Sequence, residues 1–189
     1  MKKLLLFLPI LLLMLACADD DEGGGDDCRN ADLNYDCANF SAPALPTGIY
    51  ETAVRFTPDL TQEFAGQNLT EVEIYFASVS AATVLKIYGP GTANTPGDLL
   101  YSRIISADMR TDSWNSHVLT DPVAITGDDL WVSVLVDHPD NIRTVGCDPG
   151  PALSNADFIF SESENRWTTL RDFTAGEADI NWNIRAYVD

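Results

Sequence analysis

The chain has 189 residues and a large excess of acid, with 29 Asp and Glu against 11 Lys and Arg and a formal charge of −18. Binding to nucleic acid or to anionic lipid headgroups needs a clustered basic surface, so this composition argues against both. Hydrophobic residues make up 46% and aromatic residues 10% of the chain, which excludes a disordered protein, and the length fits one folded domain with an appended segment.

The first sixteen residues are typical of a signal peptide. Lys2 and Lys3 precede an apolar run, residues 4–16, that is too short to span a bilayer. The run ends in Leu-Met-Leu-Ala-Cys at 13–17, which resembles the lipobox of bacterial lipoproteins. This resemblance implies cleavage before Cys17, acylation of its thiol and its new amino terminus, and firm attachment to a lipid bilayer. The alternative is an ordinary secretory signal in which the Cys falls at this position by chance.

An acidic and glycine-containing segment follows Cys17. Residues 18–27 contain six carboxylates and three glycines, a composition that cannot collapse into a core. We therefore divide the chain into a signal peptide (1–16), a lipidated tether and linker (17–47) and a folded domain (48–189). The acidic cluster also resembles the export signal of Bacteroidetes-type surface lipoproteins, which implies a lipid anchor in the outer membrane with the domain facing the cell exterior. The alternative is a solvated spacer without a sorting role.

Three cysteines remain if Cys17 carries lipid. Cys28 and Cys37 enclose only eight residues, a loop that closes at little entropic cost, so we favour this pair among the three disulfide pairings that Cys28, Cys37 and Cys147 allow. The cysteine spacings do not resemble a metal clip, and a structural zinc is not expected.

From residue 48 onward the dominant signal is a period of two, in short blocks separated by Gly, Pro, Asn and Asp. This pattern predicts an all-β fold of about nine strands, packed as an antiparallel β-sandwich of jelly-roll type. In the last block the pattern predicts that Asn181, Asn183, Arg185 and Tyr187 face solvent. Residues 58–64 alone look helical. The strand blocks that we could place are 52–56, 71–76, 82–88, 99–105, 114–119, 122–125, 130–136 and 180–188.

A succession of short motifs covers nearly all of residues 50–188. They are VRFTPDL (54–60), LTEVEIY (69–75), LKIY (85–88), LYS (100–102), WN (114–115), LTDPV (119–123), DLWV (129–132), GCDPGPA (146–152) and WNIRAYV (182–188). Their order resembles a β-sandwich module of secreted and surface proteins of Bacteroidetes, often found beside peptidase, adhesin or fibronectin-type domains. The resemblance implies no catalytic residues. The predicted organisation differs from that of those proteins, because the module here stands alone behind the anchor.

Signals for catalysis are weak. His117 and His138 lie in no nucleophile, zinc or triad signature, and a strand-edge or turn position is the favoured interpretation of both. A glycan hydrolase would need two carboxyls that face each other in one cleft, which a sequence cannot show. We therefore expect that the protein is not an enzyme.

Two sets of residues are candidates for ligand binding. The irregular segment 137–157 carries Asp137, Asp140, Asp148 and Asp157, which offer oxygen ligands for Ca²⁺, although turn chemistry is the favoured explanation of these residues. Trp114 and Trp167 start strand blocks beside polar residues and could stack on a sugar ring, although packing is the favoured role for both. No obligatory cofactor is expected.

Together these observations predict a surface-exposed lipoprotein whose β-sandwich is a binding or adhesion module for a glycan or a protein ligand. One alternative is a small extracytoplasmic hydrolase acting on glycans. Another is a structural subunit of a cell-envelope complex.

Overall fold

Two antiparallel sheets pack face to face in the computed structural model, which describes Cys28 and residues 31–189. The six-stranded sheet has the order β4-β3-β6-β1-β7-β8, and the three-stranded sheet has the order β5-β2-β9. The predicted all-β sandwich is thus confirmed. Its strands are β1 (Gly48–Phe56), β2 (Asn68–Phe76), β3 (Thr83–Tyr88), β4 (Leu99–Ile104), β5 (Ser113–Ala124), β6 (Leu130–His138), β7 (Phe158–Ser161), β8 (Arg166–Thr169) and β9 (Ile184–Val188).

Among the described residues, helical structure is limited to short segments. Helix α1 (Pro58–Thr61) begins with a proline, which suits a first helical turn, and it continues into the 3-10 helix Gln62–Phe64 as predicted. Helix α2 (Leu170–Phe173) was not predicted; the side chain of Thr169 caps it by accepting a hydrogen bond from the N–H of Asp172. Another 3-10 helix covers Ser106–Asp108. In the part of the chain that the structure describes, no helix combines the length and the apolar character that crossing a membrane requires.

The core lies between the two sheets and follows the period of two. Val132, Val134 and Val136 of β6 face the opposite sheet, and Trp131 and Ser133, on the other side of the same strand, are also buried. The sequence predicts this strand to be covered on both sides, and the structure confirms it. Strand β6 therefore lies in the interior of the six-stranded sheet and is buried on both of its faces.

The prediction that residues 31–47 form a free linker is wrong. These residues belong to the folded unit. Leu33 is fully buried and exchanges two backbone hydrogen bonds with Ala186, so this segment continues the small sheet beyond β9. Ala42 and Leu45 are buried as well. Strand β1 begins at Gly48. The residues before it pack against the domain because this packing buries their apolar side chains.

The prediction that Asn181, Asn183 and Arg185 face solvent is wrong. All three are buried, because residues 31–47 and the segment around Asp148 cover that face of the chain. Each finds polar partners there. The Nδ2 of Asn181 donates to both carboxylate oxygens of Asp148 at 3.0 Å, and Asn183 and Arg185 donate to Asp36. These hydrogen bonds offset the cost of burial, although Asn183 Oδ1 accepts none within the described residues.

Candidate binding site at the open edge of the sandwich

One side of the sandwich is formed by two edge strands. Strand β4 ends the six-stranded sheet and β5 ends the three-stranded sheet, and the two strands lie beside each other. A hydrogen bond of 2.9 Å joins the Tyr101 hydroxyl of β4 to Nε2 of His117 in β5. We call this side, residues 99–104 and 113–124, the open edge.

Exposed apolar side chains are concentrated on the open edge. The exposed fractions are 54% for Leu99, 50% for Leu100, 71% for Ile104 and 67% for Val118. Edge strands of soluble proteins usually carry charges or proline that prevent pairing with other chains. Pro122 supplies this protection in β5, whereas β4 has Arg103 as its one charged residue. The open edge is therefore a surface suited to contact with another molecule.

A cleft of about 460 Å³ opens at one end of this edge. Its floor is apolar and includes Leu100 of β4 and the buried core residues Val123, Ile125 and Leu130. This volume lies within the range of roughly 300–1,000 Å³ that is typical of ligand pockets. The cleft is lined by residues from the start of β4, the end of β5 and the start of β6, so it lies where strands of the two sheets meet.

The polar lining of the cleft is acidic. Asp98, Asp121, Asp128 and Asp129 contribute carboxylates, and none of the described lining residues is Lys, Arg or His. Asp129 forms an ion pair of 2.8 Å with Arg55 through Oδ2. Its Oδ1 is buried and accepts no hydrogen bond within the described part of the chain. An apolar floor beneath carboxylates suits a ligand that combines an aliphatic group with a cation or an N–H donor.

A second polar cluster lies on the outer face of the six-stranded sheet. Glu51 is buried there and accepts hydrogen bonds from Lys86 Nζ at 2.7 Å, the Tyr88 hydroxyl at 2.8 Å and Ser133 Oγ at 2.6 Å. Burial and the adjacent Glu51 carboxylate raise the pKa of Tyr88. Both carboxylate oxygens of Glu51 have donors, so this cluster joins strands β1, β3 and β6 and offers no free group to a ligand.

The two candidate stacking residues lie apart from the cleft and from each other. Trp114 is the second residue of β5, and the Arg185 guanidinium lies 3.7 Å from its ring centre while Tyr75 meets it edge-on. Trp167, in β8, packs against Trp131 and Phe160 at ring distances of 6.0 and 5.6 Å. Both rings are half-buried, and their contacts are those of packing residues.

The four candidate calcium ligands have separate surroundings. Asp137 and Asp140 are exposed at and beyond the end of β6. Asp148 is buried and accepts hydrogen bonds from the backbone N–H groups of Gly150 and Asn181. Asp157 is buried, which raises the pKa of its carboxyl, and it accepts the N–H of Arg171. Within Cys28 and residues 31–189, no group of three or more His, Cys, Asp or Glu side chains could hold a metal ion.

The cysteines divide as the sequence predicts for the described residues. Cys28 and Cys37 form a disulfide, and Cys147 is a buried thiol whose pKa is raised to about 11 by burial. This thiol is therefore protonated at neutral pH. Cys17, the predicted lipidation site, lies outside the described residues.

The two histidines have structural contacts. His138 is fully buried and shares a hydrogen bond of 3.0 Å with Thr144, while His117 bonds Tyr101 across the open edge. Burial lowers the pKa of both imidazoles.

Sequence reasoning missed the cleft, although it placed the β4 strand. Two signals were present. The adjacent pair Leu99 and Leu100 breaks the period of two, and the structure has a register shift at this point between β3 and β4. Asp121 and Pro122 interrupt the β5 pattern, which is typical of an edge strand. Neither signal shows that the two irregularities meet in space.

Comparison of the chain with models of protein families, with curated proteins and with solved structures finds no match.

Proposed function

We propose that this chain is a lipid-anchored, surface-exposed lipoprotein whose β-sandwich is a non-catalytic binding module, with the open edge as its binding surface. The observation that carries the binding proposal is the acidic cleft with an apolar floor, flanked by exposed aliphatic side chains of β4 and β5. Exposed apolar side chains that are clustered in this way often mark a surface that contacts another molecule.

The anchor and the compartment are supported by separate features. The lipobox-like residues 13–17 and the acidic residues 18–27 support lipidation at Cys17 and export to the outer surface. The Cys28–Cys37 disulfide supports an oxidising, extracytoplasmic location, since such bonds are rare in reducing compartments.

The glycan hydrolase alternative receives less support. Such an enzyme needs two facing carboxyls, one of which has a raised pKa. Burial raises the pKa of Asp36 and Asp157, but Asp36 lies against Arg185 and Asp157 accepts the N–H of Arg171. These two carboxyls have different neighbours, and neither lines the acidic cleft.

A structural subunit of an envelope complex is the second candidate. The exposed side chains of Leu99, Ile104 and Val118 favour it, because a permanent protein partner would bury them. Both candidates assign the same surface, and they differ in whether the partner dissociates.

Anchoring and display can be tested in cells. Radioactive palmitate should label the natural chain and not Cys17→Ser, and the label should fractionate with outer membranes. Protease added to intact cells should degrade the protein while a periplasmic control survives. An unlabelled natural chain in the soluble fraction would contradict the anchor, and survival beside the periplasmic control would contradict display.

The binding role can be tested with the purified protein against a glycan array and a library of displayed peptides. We expect recovered ligands to lose binding to Leu100→Ser, which removes an aliphatic group from the cleft floor. Ligands that bind Leu100→Ser normally, or an absence of ligands from both collections, would overturn the proposed surface.

A further inference from the structure

We infer that the open edge binds an extended, basic polypeptide segment of a partner protein, which adds as a strand beside β4 and places an aliphatic side chain in the acidic cleft. This inference rests on the proposed binding function and names the ligand class of the same surface.

Within the described part of the chain, one side of β4 has no neighbouring strand in its sheet. Strand β4 pairs with β3 through residues 99–104, and it ends the six-stranded sheet. The backbone N–H and C=O groups on its other side are therefore available to a further strand. Exposure of Leu100, Ser102 and Arg103 shows that the side chains along this strand leave room for such a partner.

Strand β5, which lies beside β4, is less suited to pairing with an added strand. Strand β5 contains Pro122, which has no N–H to donate, within the part that lines the cleft. An added strand would therefore pair with β4 and lie over the gap between the sheets. Because side chains alternate along a strand, every second side chain would point towards the cleft floor at Leu100 and Val123.

The negative charge of the cleft favours a basic ligand. The cleft presents the carboxylates of Asp98, Asp121 and Asp128, all of which are exposed. A second copy of this chain would bring its own formal charge of −18 against them. A basic segment has the complementary charge, so the surface favours a foreign partner rich in Lys or Arg over self-association.

The test uses the purified protein and fluorescent peptides with blocked termini. The probe is the hexapeptide Lys-Val-Lys-Val-Lys-Val, and the matched control is Glu-Val-Glu-Val-Glu-Val. A third peptide carries the basic sequence with alternate backbone nitrogens methylated, in two versions that block one or the other edge. We expect the basic peptide to bind, the acidic peptide not to bind, and one methylated version to lose binding.

Variants of the protein test the charge argument. The triple variant Asp98→Asn, Asp121→Asn and Asp128→Asn should bind the basic peptide about tenfold more weakly, since each contact at the rim contributes modestly. The control Asp59→Asn, Asp112→Asn and Asp140→Asn removes the same charge from exposed positions outside the cleft, and it should change affinity by less than about twofold. An equal loss in both variants would overturn the assigned cleft.

Hydrogen–deuterium exchange tests strand addition. The bound basic peptide should slow exchange in residues 99–104 and leave β8, the edge strand at the other end of the same sheet, unchanged. Equal binding of the acidic peptide, no effect of methylation, or no protection in β4 would overturn the inference. If ligands from the library need Leu100 but the basic peptide does not bind, the inference fails and the proposed function stands. If those ligands are insensitive to Leu100→Ser, the proposed function itself fails.

Discussion

Asp36 and Arg185 form a buried ion pair that ties residues 31–47 to β9. Arg185 Nε donates to both Asp36 carboxylate oxygens at 3.2 and 3.0 Å, and Arg185 Nη2 donates to the Cys37 carbonyl at 2.7 Å. Asn183 supplies a further hydrogen bond to the same carboxylate. A charge removed from water in this way is stable only while its partner is present.

Replacement of one partner should therefore be costly. We expect Asp36→Asn to lower the free energy of unfolding by about 3 kcal/mol, because the buried Arg185 charge then keeps only the more distant carboxylate of Glu73, at 3.6 Å. Urea unfolding followed by tryptophan fluorescence measures this loss. Glu164→Gln breaks the exposed ion pair with Arg166 and should cost less than about 0.5 kcal/mol. Equal losses in the two variants would contradict the buried pair.

His138 gives the protein a pH dependence with a definite sign. Burial lowers the pKa of its imidazole, so the folded state holds the neutral form, whereas the unfolded chain takes up a proton near the ordinary pKa of 6.5. The unfolded state then binds more protons as the pH falls below 6.5, and stability is lost over that interval until the folded pKa is reached.

The variant His138→Gln isolates this effect. Between pH 7.5 and 5.5 the natural protein should lose up to about 1.4 kcal/mol more unfolding free energy than the variant, because other titrating groups are common to both. Urea unfolding at both pH values gives the comparison. The same loss in both proteins would show that His138 protonates equally in the folded and unfolded states.

At the scale of elements, the period of two identified most strands because it reports which side chains enter the core. It failed where context decides. Strand β5 continues through Pro122, where two blocks were predicted, because an edge strand leaves one side without hydrogen bonds and tolerates a residue with no N–H. Strands β7 and β8, of four residues each, are too short for a periodic signal.

The prediction of a linker before β1 failed for a different reason. Its two prolines and polar residues indicated a linker, but Leu33 and Leu45 find places in the core. Such docking depends on a surface formed by residues more than a hundred positions away, including Ala186, which no local pattern can reveal.

Two substitutions in this segment test whether it is part of the fold. Leu33→Ala should lower the free energy of unfolding by about 2–5 kcal/mol, since it leaves a cavity at a fully buried site. Phe40→Ala removes a larger side chain that is 74% exposed and should change stability by less than about 0.5 kcal/mol. Thermal and urea unfolding measure both. A small effect of Leu33→Ala would mean that the segment does not pack in solution.

At the scale of the whole molecule, the acidic composition anticipated the character of the site without locating it. The charge of −18 argues against a basic binding surface on this protein, and the cleft is acidic like the chain as a whole. Its residues come from three chain segments, 89–90, 98–100 and 121–130, and from two sheets, so their convergence follows from strand order and not from any motif. The candidate residues that sequence reasoning offered, Trp114, Trp167 and the four aspartates of 137–157, lie outside this cleft.

The open edge as a binding surface is the central claim, and one affinity comparison tests it most directly. Leu100 and Leu153 are 50% and 48% exposed, but Leu100 lines the acidic cleft and Leu153 does not. For a ligand recovered from the glycan or peptide collections, Leu100→Ser should raise the dissociation constant roughly four- to tenfold, because the ligand covers the exposed half of the leucine side chain, which is worth about 0.8–1.5 kcal/mol. Leu153→Ser should leave the dissociation constant within about twofold. Equal dissociation constants for the two variants would contradict the account.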